Sequence, residues 1–548
     1  MPNLSQIKRQ RMMDFLAQIK EEHKDDDAML IALGEIEREL NAKKYGLVWE
    51  EHEEAVDVKM RTHIPVFTED ASKEITRDTG GMYNFILEGD NLHSLRLLEK
   101  THAGKIDVIY IDPPYNLGGD FVYNDDYVER EDGFRHSKWL SFMEKRLEIS
   151  RKLLSDNGVI FISINDTEYA GLKLLCDEIF SEANYQATFI WKSRQRADSR
   201  NINMLSSDHE YVLVYSKSDQ FKAKGAEKDI TKYKNPDNDP RGPWASIDLS
   251  GLADASRRPN LHYDIINPNT GISYPPNPNR GWSKSRETIA KMIEEDRILW
   301  PSSPKGRPRE KKFLKDLLSE TTGFSSVLNN DDVGFTTDGT RALIKVLGGR
   351  VFSFPKSVKL LKTLIGQFPS ETCTVLDFFA GSGSTAQAVL ELNNDDGGTR
   401  SFILCTNNEN QICETVTYPR VKTIITGLRP DGSEYSDSIP ANLMLYHTSF
   451  VSKDEEYLSD ALLEHIAEMI QLEHGVKLDG ENYIMILDDD EADDLAAHWS
   501  DYPDVKALYV SKNVLFTTEQ NALFKDVEVH IIPDYYFNFE LREVGETW

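Results

Sequence analysis

Cysteine is scarce in this chain: Cys176, Cys373, Cys405 and Cys413 are the only four among 548 residues. Their spacing fits no zinc-ligand pattern, so a zinc cluster is excluded and four small buried hydrophobes are expected. Long apolar runs are missing as well; none approaches the ~20 residues that a bilayer-spanning helix needs. The segment from Met1 to Gln10 lacks the apolar stretch of a secretory signal, so a cytoplasmic protein with no membrane partner is expected. Positive charge is short: 63 Lys and Arg face 92 Asp and Glu, a net charge of −29. That deficit weighs against a nucleic-acid partner, because phosphate neutralisation supplies most non-specific affinity. Its distribution changes the meaning. Residues 431 to 548 hold 6 Lys and Arg against 27 Asp and Glu, whereas residues 280 to 315 hold 11 against 5. The acidity is local, and the middle of the chain carries a basic patch. The acidic stretch from Asp488 to Glu491 lacks the spacing of a calcium loop and reads as a solvated turn. No metal is called for.

Two segments carry chemistry. Lys105 to Ile111 reads as a buried parallel strand, and it ends in Asp112-Pro113-Pro114-Tyr115. A carboxylate at that edge can accept a hydrogen bond from an exocyclic amine. The prolines stiffen the turn and bring no N–H groups, which leaves carbonyls for a second amine hydrogen. Tyr115 offers a face on which a base can stack. An ordinary turn after a strand has the same outward look. The second segment, Thr374 to Val389, reads as strand, glycine turn and helix start, with Gly381 and Gly383 permitting close backbone approach to a ligand. The third glycine of a dinucleotide fingerprint is absent, and Ser-Thr stands where a phosphate loop has Gly-Lys-Ser/Thr. A following strand, Ser401 to Cys405, leads to Glu409, an acidic residue placed to hold a ribose diol.

With these segments, the chain resembles the β-class S-adenosylmethionine-dependent DNA adenine-N6 methyltransferases, and most closely the Mod subunits of type III restriction-modification systems. That family places its Asp-Pro-Pro-Tyr segment before its Phe-x-Gly-x-Gly segment, the order found here with Asp112 ahead of Phe379-Ala380-Gly381-Ser382-Gly383. Glu88 to Asn91, Trp139 to Leu147, Gly158 to Asp166, and Thr406 to Asn410 running into Val416 to Arg420 also match. The resemblance spans roughly residues 80 to 430. It implies a Rossmann-like α/β methyltransferase sheet with an inserted target-recognition domain and a small C-terminal α/β domain. It also implies methyl transfer to adenine N6 in duplex DNA after base flipping. Asp112, Pro113, Pro114 and Tyr115 are then the catalytic residues. Asp90, Asp112, Lys356, Asp377, Phe379, Ala380, Gly381, Ser382, Gly383, Ser384, Thr385 and Glu409 are the cofactor contacts. Asp90 could instead simply open the following helix as its N-cap. Ser357 stands where the family has proline after the lysine.

The expected organisation is a helical arm (1–60), a catalytic half (61–217), a target-recognition insertion (218–335), a cofactor-binding half (336–430) and an acidic C-terminal α/β domain (431–548). Alternating strand and helix signals argue for a parallel sheet. Lys192, Arg194 and Arg196, with Arg280, Lys305, Arg307 and Arg309, are the expected DNA contacts; the first three could instead form a solvated loop. Expected partners are duplex DNA, a second copy of the chain and a Res-type helicase/nuclease subunit, since no helicase or nuclease motif is found in the chain. The alternatives are an RNA amino-methyltransferase and a DNA-binding specificity subunit for a partner nuclease.

Overall fold

The computed structural model describes residues 4–24, 27–41, 49, 52–116, 135–197, 205–277, 279–303, 305–319, 321–533 and 536–544. It divides into two compact units, one of residues 1–222 with 326–548 and the other of residues 223–325. The larger unit is built on a nine-stranded sheet of β1 (His63–Glu69), β2 (Tyr83–Glu88), β3 (Ile106–Ile111), β4 (Leu154–Ile164), β5 (Tyr185–Trp191), β6 (Glu210–Ser216), β7 (Thr374–Asp377), β8 (Ser401–Thr406) and β9 (Asn442–Ser452). The spatial order is β1-β9-β2-β8-β7-β3-β4-β6-β5. The six strands from β9 to β4 are mutually parallel, while β1 and β6 run against their neighbours. This is the α/β fold that the alternating signals imply. The central strands are buried along almost their whole length, which is why they read as unbroken apolar runs.

The topology fixes where a ligand can go. After β3 the chain turns outward toward β4, and after β7 it turns the other way toward β8, although β3 and β7 are adjacent. Strand ends that part in this manner leave a crevice at the carboxyl edge of the sheet. Asp112 follows β3 and the glycine turn follows β7, so both motifs open on that crevice.

Strand β9 departs from the sequence reading, which ended the methyltransferase body at residue 430. Asn442–Ser452 pairs in parallel with β2 and antiparallel with β1, and thereby extends the main sheet. Only the parts beyond it form a second, three-stranded parallel sheet of Tyr483–Ile486, Ala507–Val510 and Glu528–Ile531. Alternation decides how that sheet packs: Ala507 and Tyr509 join the main core, whereas Leu508 and Val510 join a cluster with Ala492, Leu495 and Phe524. The acidic segment is therefore packed into the larger unit through one face of its sheet. At the other end of the chain, helices Leu4–Glu22 and Asp27–Asn41 form the helical arm. All four cysteines are buried, and none is paired. Among the described residues no helix is long and apolar enough to cross a membrane.

The smaller unit has little regular structure. Trp244–Asp248, Arg309–Phe313 and Ile298–Leu299 form an antiparallel sheet beside helix Arg286–Glu294, around a core that includes Leu249, Trp282 and Ile289. Lys311 is buried within it, its ammonium 2.6 Å from Asp237 and 2.5 Å from Asp239. That lysine is a structural ion pair within the basic patch, while Arg280, Lys305, Arg307 and Arg309 are exposed. Arg309 donates from Nε to Ser246 Oγ at 2.7 Å, and Arg280 from Nε to the Gly251 carbonyl at 2.9 Å.

Candidate active site

Asp112 ends β3 with 27% of its side chain still open. Burial raises its pKa above the usual carboxylate value, the nearby Lys356 charge opposes that rise, and Glu210 adds to it. Pro113 is buried, and the Pro114 carbonyl accepts a 2.7 Å hydrogen bond from Trp139 Nε1. The Pro114 carbonyl is thus engaged within the protein. Tyr115 is anchored through its hydroxyl, which donates to Glu210 Oε2 at 2.9 Å. Lys356 joins all of them: its Nζ lies 2.6 Å from Tyr115 Oη, 2.8 Å from Glu210 Oε2 and 3.1 Å from Asp112 Oδ1. It stands 4.8 Å from the centroid of the Tyr115 ring and 5.8 Å from that of Trp191. Burial works against the lysine's charge, but the two carboxylates outweigh it and raise its pKa. Burial likewise works against Glu210, yet Lys356 holds its pKa below the usual value.

The turn after β7 is braced from behind. Asp377 is 2% exposed; its Oδ1 accepts the Phe379 N–H at 3.0 Å and its Oδ2 the Thr385 hydroxyl. Gly381 and Gly383 have φ of +49° and +72°, and a Cβ at Gly383 would approach Thr417 Cγ2 to 3.3 Å. The Ser382 and Ser384 hydroxyls both accept from the buried Arg420 Nη1, at 3.0 and 2.8 Å. Thr417 Oγ1 donates to the Gly381 carbonyl at 2.6 Å, and the Ala380 N–H to the Cys405 carbonyl at 3.1 Å. Phe379 packs against Phe142 and Phe378. The loop is a rigid bed whose serines and aspartate serve its own shape.

Beside the loop is a cleft of about 480 Å³, lined by residues 350–353 together with Glu409, Asn410, Ile412, Thr415 and Val416. A Cβ built on Gly381 would lie 3.8 Å from the Phe352 ring, which ties the cleft to the glycine turn. The volume suits a small molecule. Its donor set suits a nucleoside: an acidic residue for a diol, an aromatic ring, and backbone that approaches closely. Asp90, by contrast, is the N-cap of helix Asn91–His102; its Oδ1 accepts the Leu92 N–H at 2.8 Å and lies 3.4 Å from Arg146 Nη2. Strain gathers around these parts. Asn116, Phe354, Asn410 and Gln411 all have positive φ, and for a residue as bulky as Phe354 that is a true outlier.

Four functional side chains escaped the sequence reading. Glu210 opens β6 as the polar first residue of an apolar strand, a weak signal for a buried carboxylate. Trp139 and Arg146 belong to the matched segment Trp139 to Leu147, and Arg420 to Val416 to Arg420, but periodicity does not tell them from surface residues. Arg146 is fully buried and binds Glu54 through both Nη atoms (3.0 and 2.9 Å) and Asn91 Oδ1 through Nε (2.6 Å). Lys192, Arg194 and Arg196 are exposed on the stretch after β5; the fourth basic residue there, Arg200, falls outside the described residues.

Asp377 gives a pH prediction. Burial raises its pKa to about 7 despite the Thr385 and Phe379 hydrogen bonds. The folded state thus holds this proton more tightly than the unfolded chain, whose value is 3.8. The associated stability is fully present below the unfolded value and is lost as pH rises through about 7. An amide cannot ionise, so the melting temperature of Asp377→Asn relative to the wild type should rise between about pH 5 and about pH 8. A constant difference across that range would show that Asp377 ionises without cost.

A parallel sheet with a glycine turn after one central strand and an Asp-Pro-Pro-Tyr turn after its neighbour is the Rossmann-like arrangement that the two motifs imply. The chain belongs to the DNA methylase family, whose model matches residues 106–417. It is similar to the StyLTI Mod subunit, a type III restriction-modification enzyme of Salmonella typhimurium, at 33% identity over 72% of this chain and 65% of that one. It is also similar to the type II methyltransferase M.KpnI of Klebsiella pneumoniae, at 35% identity over 58% of this chain and 79% of that one. The chain thus spans just under two thirds of the Salmonella subunit's length. Among solved structures, a complex of M1.HpyAVI with SAM matches 62% of this chain and 98% of its own at 13% identity and a TM-score of 0.29.

Proposed function

We propose that this protein transfers a methyl group from S-adenosylmethionine to adenine N6 in duplex DNA, as the sequence-specific modification subunit of a type III restriction-modification system. The observation that carries this reading is the seat formed by Asp112 and Tyr115 at the switch point, beside the braced glycine turn and its cleft. The likeness to a Mod subunit over most of the chain favours the type III assignment.

The cleft fits S-adenosylmethionine. Glu409 would hold the ribose and residues 379 to 385 would bed the cofactor, which supplies an electrophilic methyl group when bound. Asp377, Ser382 and Ser384 would shape that bed without touching the ligand. Lys356 would mark its boundary with the amine seat. The protein's own task is then orientation. A target adenine swung out of the duplex stacks on Tyr115, and Asp112 and the Pro113 carbonyl each take one N6 hydrogen. The nitrogen lone pair is thereby aimed at the methyl group, and positioning with electrostatics supplies most of the acceleration. Incubating the purified protein and labelled cofactor with duplex DNA and with RNA tests the reading. Label in DNA, recovered as N6-methyladenosine's deoxy form, supports it; label confined to RNA would establish the alternative class.

Arg280, Lys305, Arg307 and Arg309 are read as phosphate contacts of a target-recognition unit, with Lys192, Arg194 and Arg196 as contacts from the catalytic body. Charge reversal at Arg307 and Arg309 should weaken DNA binding and reduce the slope of log affinity against log salt by about one per lost contact. Cofactor affinity should be unaffected. An unchanged slope would place the DNA surface elsewhere. The protein is further read as a cytoplasmic homodimer that serves a Res-type helicase/nuclease subunit. Its mass in solution, with methylation regained on mixing an Asp112→Ala chain and a recognition-defective chain, decides the dimer.

A further inference from the structure

The ammonium of Lys356 occupies the position that a target amine needs. All three of its hydrogens have acceptors, on Tyr115, Glu210 and Asp112, and it stands at the hydroxyl end of the Tyr115 ring, 4.8 Å from the centroid. An exocyclic amine on a base stacked against that ring would require the same carboxylate. The two groups cannot share Asp112 Oδ1 in one geometry, so the lysine must yield when the base arrives.

Glu210 gives it somewhere to go. The carboxylate lies closer to Nζ than Asp112 does, at 2.8 against 3.1 Å, and is less exposed, at 17% against 27%. It also accepts the Tyr115 hydroxyl, so a lysine that gave up Asp112 would keep both remaining partners. We propose that Lys356 is a placeholder for the target amine, and that Glu210 is the positioning residue that draws it off Asp112 when the base enters. This rests on the reading that the seat formed by Asp112 and Tyr115 receives an exocyclic amine.

The charges support a three-membered arrangement over a simple pair. With two carboxylates and one ammonium, Lys356 neutralises whichever partner it favours, and Asp112 can be released without stranding a buried cation. Without Glu210, Lys356 and Asp112 would form a closed ion pair with no second counter-charge, and breaking it for every incoming base would cost the full separation of a shielded pair. Without Lys356, two carboxylates would face each other across Tyr115, a repulsion that the lysine relieves in the empty site. The placeholder keeps the seat in shape, and Glu210 keeps the placeholder from becoming an inhibitor.

Single-turnover methylation at saturating cofactor, with Glu210→Gln, Lys356→Met and the double variant, tests the arrangement. Glu210→Gln should lower the rate about tenfold or more while DNA and cofactor affinities stay within about twofold. The double variant should be faster than Glu210→Gln alone, because removing the lysine frees Asp112. A 2-aminopurine next to the target adenine gives a readout apart from activity: its fluorescence rise as the adenine leaves the stack should fall in Glu210→Gln and return in the double variant. Losses that simply accumulate in the double variant, or a fully active Glu210→Gln, would overturn the placeholder. A wild-type protein that methylates no DNA would instead reject the underlying functional reading, and the placeholder with it.

Discussion

Replacing Asp112 with alanine should cut methyl transfer by on the order of a hundredfold to a thousandfold, with cofactor and DNA affinities nearly unchanged. The carboxylate makes no contact on which the strand depends. It stands at the end of β3 with about a quarter of its surface open, and its side-chain partners are Lys356 and Tyr115. Its removal leaves the glycine bed and the cleft intact, since these are braced by Asp377, Thr417 and Arg420. The loss should therefore appear in turnover and not in binding. If more than a small fraction of wild-type turnover survived, the amine seat would have to be placed elsewhere. Asp112→Asn should fall between the two, because its carbonyl oxygen can still accept one hydrogen while the amide nitrogen cannot.

The largest effect on stability is expected at Arg146. Its guanidinium is wholly buried and is held by Glu54, Asn91, the Phe142 carbonyl and, more loosely, Asp90. Removing one partner of such a pair leaves the other as an uncompensated buried charge, which costs about 3–5 kcal/mol. Arg146→Ala should lose about that much in urea or thermal unfolding. Replacing the pair together, as Arg146→Met with Glu54→Leu, should recover most of the loss, because two apolar groups of similar volume need no counter-charge. A single-variant cost of only ~0–1 kcal/mol would match an exposed pair and contradict the burial argument. The same arginine ties Asn91 and Asp90, at the start of helix Asn91–His102, to helix Arg135–Leu153, so its loss should also weaken cofactor binding.

The contrast between these residues explains what the sequence reveals. Strand β3 and its Asp-Pro-Pro-Tyr end are legible because a buried parallel strand has a one-dimensional signature and its turn chemistry is local. The glycine turn is legible for the same reason. The strands at Tyr185–Trp191 and Tyr483–Ile486 and the helical arm follow from periodicity alone. Glu210 is not legible, since its meaning comes from Lys356, a residue 146 positions away. Arg420 and Arg146 look like any charged residue on a helix until the fold buries them. Asp377 could be read as a ligand contact in sequence, yet in the fold both its oxygens serve the loop. Strand β9 was hidden by the acidic composition around it, although Leu443, Met444 and Leu445 near its start are apolar. Local chemistry is written in the order of residues, and long-range pairing of buried charges is not.

The central claim is tested most directly by mapping modified bases on genomic DNA from cells with and without this protein. The account predicts N6-methyladenine at one short recurring sequence, present only when the protein is present and absent when Asp112 is replaced. Modification of cytosine at such a site, or a methylation map that does not change with the protein, would contradict it.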